Sequence, residues 1–242
     1  MERAGRAITE MQLGLRNWKE ASAGASCGEA VEQIDLLCDS VQARLLLLSF
    51  YSSLLSRENL LEMGRLEGFF PDKDLEAVLV ATEGMRLSVS TPKWCVAVKL
   101  LAFSGAVSAC VNAADTLARL LAVAYDIRIG RHPQLEAILE RLAEDSLLAP
   151  ILRDSPGLDW MGPVRSLHAE CQHGAILSTY QSRAGGSAVP YVKGVWCNES
   201  DEGMPMPQYV NWAEESVEEL IEGVASAVAF DPERALLIRS QS

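Results

Sequence analysis

The run from Thr91 to about Asp126 constrains this chain more than any other stretch. Its apolar residues do not keep to one stripe. Val96, Val98, Leu100, Leu101, Phe103, Val107, Val111, Leu117, Leu120, Leu121 and Val123 fall on nearly every side of a helix. A helix apolar all round has to be enclosed by other elements. Thr91-Pro92 is a start signal, since a Thr side chain caps free N–H groups and Pro at the first helical position loses no hydrogen bond. The spacing therefore predicts a central helix over 91–126. Ser104, Gly105, Ala106, Ser108 and Ala109 make its middle narrow, so neighbours can approach closely. Asn112, Asp115 and Arg119 break the apolar pattern at spacings of three and four, which puts them on one face.

The partners of that helix read from the same periodicity. Residues 3–21 carry Ile8, Met11, Leu15 and Trp18 on one stripe. A long helix is predicted over 28–55, with Val31, Ile34, Leu37, Cys38, Val41, Leu45, Leu48 and Tyr51 inward. A shorter helix is predicted over 57–70, ended by Phe69-Phe70-Pro71, and another after Asp72. Pro133 starts a segment with Leu135, Ile138, Leu139 and Leu142 inward. Two more follow, at 146–154 and 159–180. Strand-prone Val189, Tyr191, Val195 and Trp196 predict a small β-hairpin or loop near 188–197. A last helix over 209–229 turns Val210, Ala213, Val217, Leu220, Ile221, Val224 and Val228 inward. The expected fold is all-α, a helical bundle with one β excursion. Residues 1–27 form an N-terminal helix, 28–230 the bundle and 231–242 a flexible tail.

Composition narrows the chemistry. The 242 residues are 49% hydrophobic with a net charge of −12, so bulk attraction to nucleic acid or anionic membrane is not expected. The acid is concentrated: eight Asp and Glu and no Lys or Arg lie between Asn198 and Gly223. That run is either a solvated helix face or a docking surface for a basic protein partner. Six cysteines are scattered without a CxxC pair, the usage of reduced, cytoplasmic thiols. The N-terminal MERAGRAITEMQ lacks the apolar core of a signal peptide. The uncharged run Leu100–Ala114 is 15 residues, short of the roughly 20 that span a bilayer. No membrane association is expected.

No phosphate-loop, dinucleotide, zinc or nucleophile-elbow signature occurs, and neither metal nor cofactor is expected. Of three histidines, two lie within six residues, in Arg165-Ser-Leu-His168-Ala-Glu-Cys-Gln-His173-Gly174. Histidine is the side chain suited to proton transfer near neutral pH. Arg165 and His168, three apart, share a helix face. His168 and His173, five apart, are splayed by about 140°. The bland alternative is a partly exposed helix carrying ordinary polar residues, with Asn112, Asp115 and Arg119 forming a polar network that satisfies itself.

An Arg-then-His helix closing on His173-Gly174, the VNAADTLARLLAVAY run and the hairpin and final helix beyond resemble the HEPN family (higher eukaryote and prokaryote nucleotide-binding domain). The resemblance covers about residues 30–230. It implies a homodimer and metal-independent cleavage of RNA, in a toxin–antitoxin or defence setting. In that family the Arg and His of an R-x4–6-H motif meet at the dimer cleft. His173 matches the family's His. Arg165 has seven residues between it and His173, outside that spacing, and the position with four between them holds His168. The expected catalytic residues are His173, His168 and Arg165, and the expected binding residues Asn112, Asp115, Arg119 and Gly174. The dimer is expected to form through the central and 159–180 helices. A catalytically inactive, dimeric interaction module is the alternative. Either version brings Asn112 or Asp115 up to the 165–174 stretch, whereas an unrelated bundle would keep them apart.

Overall fold

The computed structural model describes residues 2–23, 28–56, 93–128, 134–154, 157–172, 191–192 and 204–238. Among these, four long helices form the body: α1 (Glu2–Ala23), α2 (Gly28–Ser56), α3 (Lys93–Ala124) and α7 (Met206–Phe230). Shorter helices α4 (Leu135–Leu139), α5 (Leu148–Arg153), α6 (Met161–Gln172) and α8 (Pro232–Ala235) pack around them. The expected helix over 57–70 and the one after Asp72 lie outside the described residues.

The chain is all-α, and α3 is its axis. Phe103, Ala106, Val107, Cys110, Ala113, Ala114, Leu117, Ala118, Leu120 and Leu121 are all buried, so most sides of α3 are covered. By length and composition, Leu100–Ala124 is long and apolar enough to cross a membrane; here 61% of it is buried inside the bundle. Its narrow middle works as the sequence implies. A Cβ on Gly105 would fall 2.6 Å from Tyr51 Cζ, so the tyrosine ring of α2 lies directly on glycine backbone. Gln42 of α2 donates to Gly5 and Thr9 of α1 while Asp35 accepts from Gln12, so α1 and α2 run antiparallel.

The N-terminal helix belongs to the bundle. Ala4, Ala7, Ile8, Met11 and Leu15 are buried, and Gly14 brings α1 close to Ala229 of α7. Gln12 Nε2 donates to Asp35 Oδ1 of α2 at 2.8 Å. Lys19, only 6% exposed, closes the far end. Its ammonium donates to the Ala124 carbonyl at 2.9 Å and to Asp126 Oδ2 at 2.8 Å. Ala124 is the last residue of α3, where carbonyls have no partner within the helix and the macrodipole favours a cation. Asp126 turns the chain away with φ 54°, in the left-handed region.

One expectation needs correction. Residues 231–238 are not a free tail. Asp231 Oδ1 accepts the Arg234 N–H and so caps α8, Ala235 and Leu236 are buried, and Leu142 pairs with Ile238 in an isolated bridge. Ser146 fixes the same strip by donating to the Ala235 carbonyl at 2.6 Å. Residues 239–242 lie outside the described residues. The β excursion also reaches further than 188–197. Its strands are Tyr191–Val192 and Met204–Pro205, antiparallel, with Tyr191 opposite Pro205 and Val192 opposite Met204. Val192 and Met204 are buried, so burial of one face selects a partner more distant in sequence.

Candidate functional site

The site grows from α6. Met161, Val164, Leu167 and Cys171 are buried at helical spacing and press this helix against the bundle. The opposite register brings Arg165 and His168, both half-buried, to the edge of that seam. There Arg165 reaches α3. Its Nη2 donates to Asp115 Oδ1 at 2.7 Å. Glu136, on the first turn of α4, places Oε2 3.6 Å from the same nitrogen. That separation allows charge attraction but exceeds a hydrogen bond. Among the described residues, Glu136 Oε2 and Arg165 Nε are buried with no hydrogen-bond partner.

The ion pairs are partly shielded. The Arg165 side chain is 20% exposed and that of Asp115 36%. Burial raises the Asp115 carboxyl above its ordinary range; the Arg165 charge and hydrogen bond pull it back without cancelling the rise, and Glu136 pushes the same way as burial. His168 moves down. Burial is the largest cause, Arg165 adds to it, and Asp115 opposes it. The imidazole is thus held neutral near pH 7 and suited to accept a proton.

The sequence-derived candidates separate on this geometry. Arg165, His168 and Asp115 come together. Asn112, one turn before Asp115, is half-buried, and its carbonyl accepts the Thr116 hydroxyl at 2.6 Å. Arg119 is exposed. The cation paired with Asp115 is Arg165 and not Arg119, so the polar residues of α3 do not form a closed network of their own. His173 and Gly174 lie outside the described residues. Glu136 was not legible as a partner: it stands 29 positions before Arg165 and no local spacing ties the two.

The arrangement can orient Arg165 firmly and keep a neutral imidazole one turn away. It does not leave a free guanidinium, because two carboxylates face one cation, and an incoming phosphate would have to displace them. Among the described residues no group of three His, Cys, Asp or Glu could hold a metal ion. The thiols of Cys38, Cys110 and Cys171 are held protonated. Burial lifts Cys38 to about 12 and Cys171 to about 11, and raises Cys110 further; a buried, protonated thiol is a poor nucleophile.

A second feature lies on α2. Its inward stripe is buried or half-buried as expected, and its outer face carries exposed apolar residues among the polar Glu32, Gln33, Asp39 and Ser53. Leu36, Ala43, Leu47 and Phe50 recur at helical spacing on that face, with Leu46 beside them. Leu36 is 66% exposed, Leu46 64% and Phe50 55%. Leu101 of α3, 67% exposed, lies one turn from Gly105, over which Tyr51 packs. Leu101 is thus a further exposed apolar residue, on the helix next to α2.

No family model matches the chain, and no curated protein and no solved structure matches it either.

Proposed function

We propose that this chain is a non-catalytic, HEPN-like helical interaction module that works as a homodimer in the cytoplasm, with the outer face of α2 as the contact. The exposed strip Leu36, Leu46, Leu47 and Phe50 carries the reading. Single apolar residues on a surface are ordinary; several on one helix face form a patch of the kind that partners cover. An antiparallel pairing of two such helices is isologous, each copy offering the same strip. The neutralised Arg165 agrees with a structural part for that residue. The buried, free thiols Cys38, Cys110 and Cys171 fit a reducing compartment. Sedimentation equilibrium tests the dimer. Wild type should sediment as a dimer, and Leu47→Glu with Phe50→Glu as a folded monomer. A monomeric wild type at micromolar concentration would sink the reading.

A second reading rests on one observation: the neutral His168 stands one turn from an Arg whose position is fixed. In that reading the protein cleaves RNA without metal. In it His168 or His173 takes the proton of the ribose 2′-hydroxyl, the 2′-oxygen attacks phosphorus and expels the 5′-oxygen, which is protonated by water, and Arg165 leaves Asp115 and Glu136 to meet charge developing on the phosphate. Cleavage of a mixed-sequence RNA in EDTA, lost in His173→Ala or His168→Ala, is the result this reading requires. An uncut RNA with the wild-type dimer would exclude it.

A further inference from the structure

Between α5 and α7 lies a cleft of about 350 Å3. Pro150 and Ile151 form one wall and Leu220 the other, so its floor is apolar. Asp154 and Glu219, both exposed, also line it. Over Glu219 and Gly223 it continues into a wider, shallower groove of about 880 Å3, lined by Glu215, Glu218 and Glu222 of α7 and by the start of α1. Gly223 lines both. A Cβ there would come 3.1 Å from Ile151 Cγ2 and narrow the passage.

The lining of this groove is predominantly acidic. α7 carries five glutamates and no Lys or Arg. Glu215 and Glu219 are four apart, as are Glu218 and Glu222, and like charges at that spacing weaken a helix. Among the described residues no ion pair takes up Glu215, Glu219 or Glu222. Arg3 is the one basic residue lining the groove. Spread over two helical turns, about 10 Å, these carboxylates are strung out along one face and do not converge on a point as metal ligands would.

We propose that this groove binds a basic amphipathic helix of a partner protein. Lys or Arg residues of that helix at positions i, i+4 and i+7 meet Glu215, Glu219 and Glu222, and one aliphatic side chain enters the cleft between Ile151 and Leu220. The occupant follows from complementarity of both kinds. A row of carboxylates selects a row of cations and repels nucleic acid, while an apolar cleft at one end selects a single anchor and fixes the register. The surface lies on α5, α7 and the start of α1 and includes none of Leu36, Leu46, Leu47 and Phe50 of the α2 strip, so the inference does not depend on the dimer.

The test uses the full chain and a fluorescein-labelled synthetic peptide of about 15 residues with Lys at i, i+4 and i+7 and one Leu, read by fluorescence anisotropy. A scrambled peptide of the same composition is the control. The patterned peptide should bind about tenfold tighter or more, and added salt should weaken it. The variant Glu215→Gln, Glu219→Gln, Glu222→Gln should abolish the difference between the two peptides. It should melt no lower than wild type, since like-charge repulsion is relieved, so loss of binding cannot be loss of fold. Ile151→Ser should remove the advantage of Leu over Ala in the peptide and leave the salt dependence unchanged. The monomeric Leu47→Glu, Phe50→Glu protein should bind the peptide as wild type does. Equal binding of patterned and scrambled peptides, no binding of either, or an unaffected Leu advantage in Ile151→Ser would each overturn the proposal.

Discussion

Arg165 on α6 and Asp115 on α3, 50 positions apart, meet at 2.7 Å, and that contact ties the shorter helices to the axis of the bundle. Glu136 of α4 joins from the other side. Three helices thus converge on one guanidinium. Removing the cation leaves two partly buried carboxylates facing each other, whereas removing Asp115 leaves Arg165 its second partner. Arg165→Ala should therefore destabilise more than Asp115→Ala. Full burial would make such a loss several kcal/mol; with the exposure seen here about 1–2 kcal/mol is expected. Thermal melts of both singles and the double mutant check this. A double mutant whose loss equals the sum of the two singles would mean that the pair contributes nothing.

How much of this was legible in sequence depends on the range of the interaction involved. The axis helix, its narrow middle around Gly105 and the inward stripes of α1, α2 and α7 follow from periodicity, because burial of a helix face is a local, repeating signal. Asp115 and Arg165 could be named as candidates because each breaks an apolar or helical pattern. Their pairing could not. Spacing ties Asp115 to Arg119, four positions on, but α6 packs against α3 on the Asp115 side and Arg119 is left in solvent. Glu136 shows the same limit, as does Lys19, whose partners Ala124 and Asp126 are more than 100 positions away. The packed strip 231–238 hides for another reason. Its Asp231 cap and its bridge to Leu142 involve few residues, too few for a period to show.

His168 makes stability depend on pH. Its folded-state value lies below the ordinary 6.5, so the unfolded chain takes up the proton first on acidification. The stability it contributes is present above pH 6.5 and is lost as pH falls through the lower folded value. Asp115 works in the opposite sense at lower pH. Its folded value is raised above 3.8, so the folded state binds that proton first, and acidification through its range favours folding. Urea midpoints should fall from pH 7.5 towards 5.5, and His168→Gln should flatten that decline. A decline of unchanged steepness in the variant would assign it to other groups.

Gly105 sets a steric limit on α3. A methyl group there would meet Cζ, Cε1 and Cε2 of Tyr51 at 2.6–2.8 Å, so the ring must leave. Alanine gains up to about 1 kcal/mol in helix propensity over glycine, but overpacking costs about 1–3 kcal/mol. Gly105→Ala should therefore lower stability by about 1 kcal/mol, roughly 2–4 °C in Tm for a chain of this size. Adding Tyr51→Leu should recover part of the loss. A Gly105→Ala protein more stable than wild type would show that the ring moves aside freely.

Lys19 offers the clearest separation of charge from packing. Its stem is buried beside Trp18, with the ammonium 5.9 Å from that ring, and Trp18 in turn lies 4.9 Å from Tyr125. Lys19→Met keeps the volume of the stem and removes the donor. The Ala124 carbonyl then loses the ammonium that satisfies it at the end of α3, and Asp126, exposed on its own side chain, returns to water at little cost. Leaving a buried acceptor without a donor costs about 1–3 kcal/mol, so the variant should be destabilised by that amount. Asp126→Asn, which keeps Lys19 on the carbonyl and weakens only an exposed partner, should cost less than about 1 kcal/mol. Hydrogen exchange should locate the change, with the last turn of α3 opening more readily in Lys19→Met and not in Asp126→Asn. Equal losses in the two variants would place the effect in the surface ion pair and not in the capped helix end.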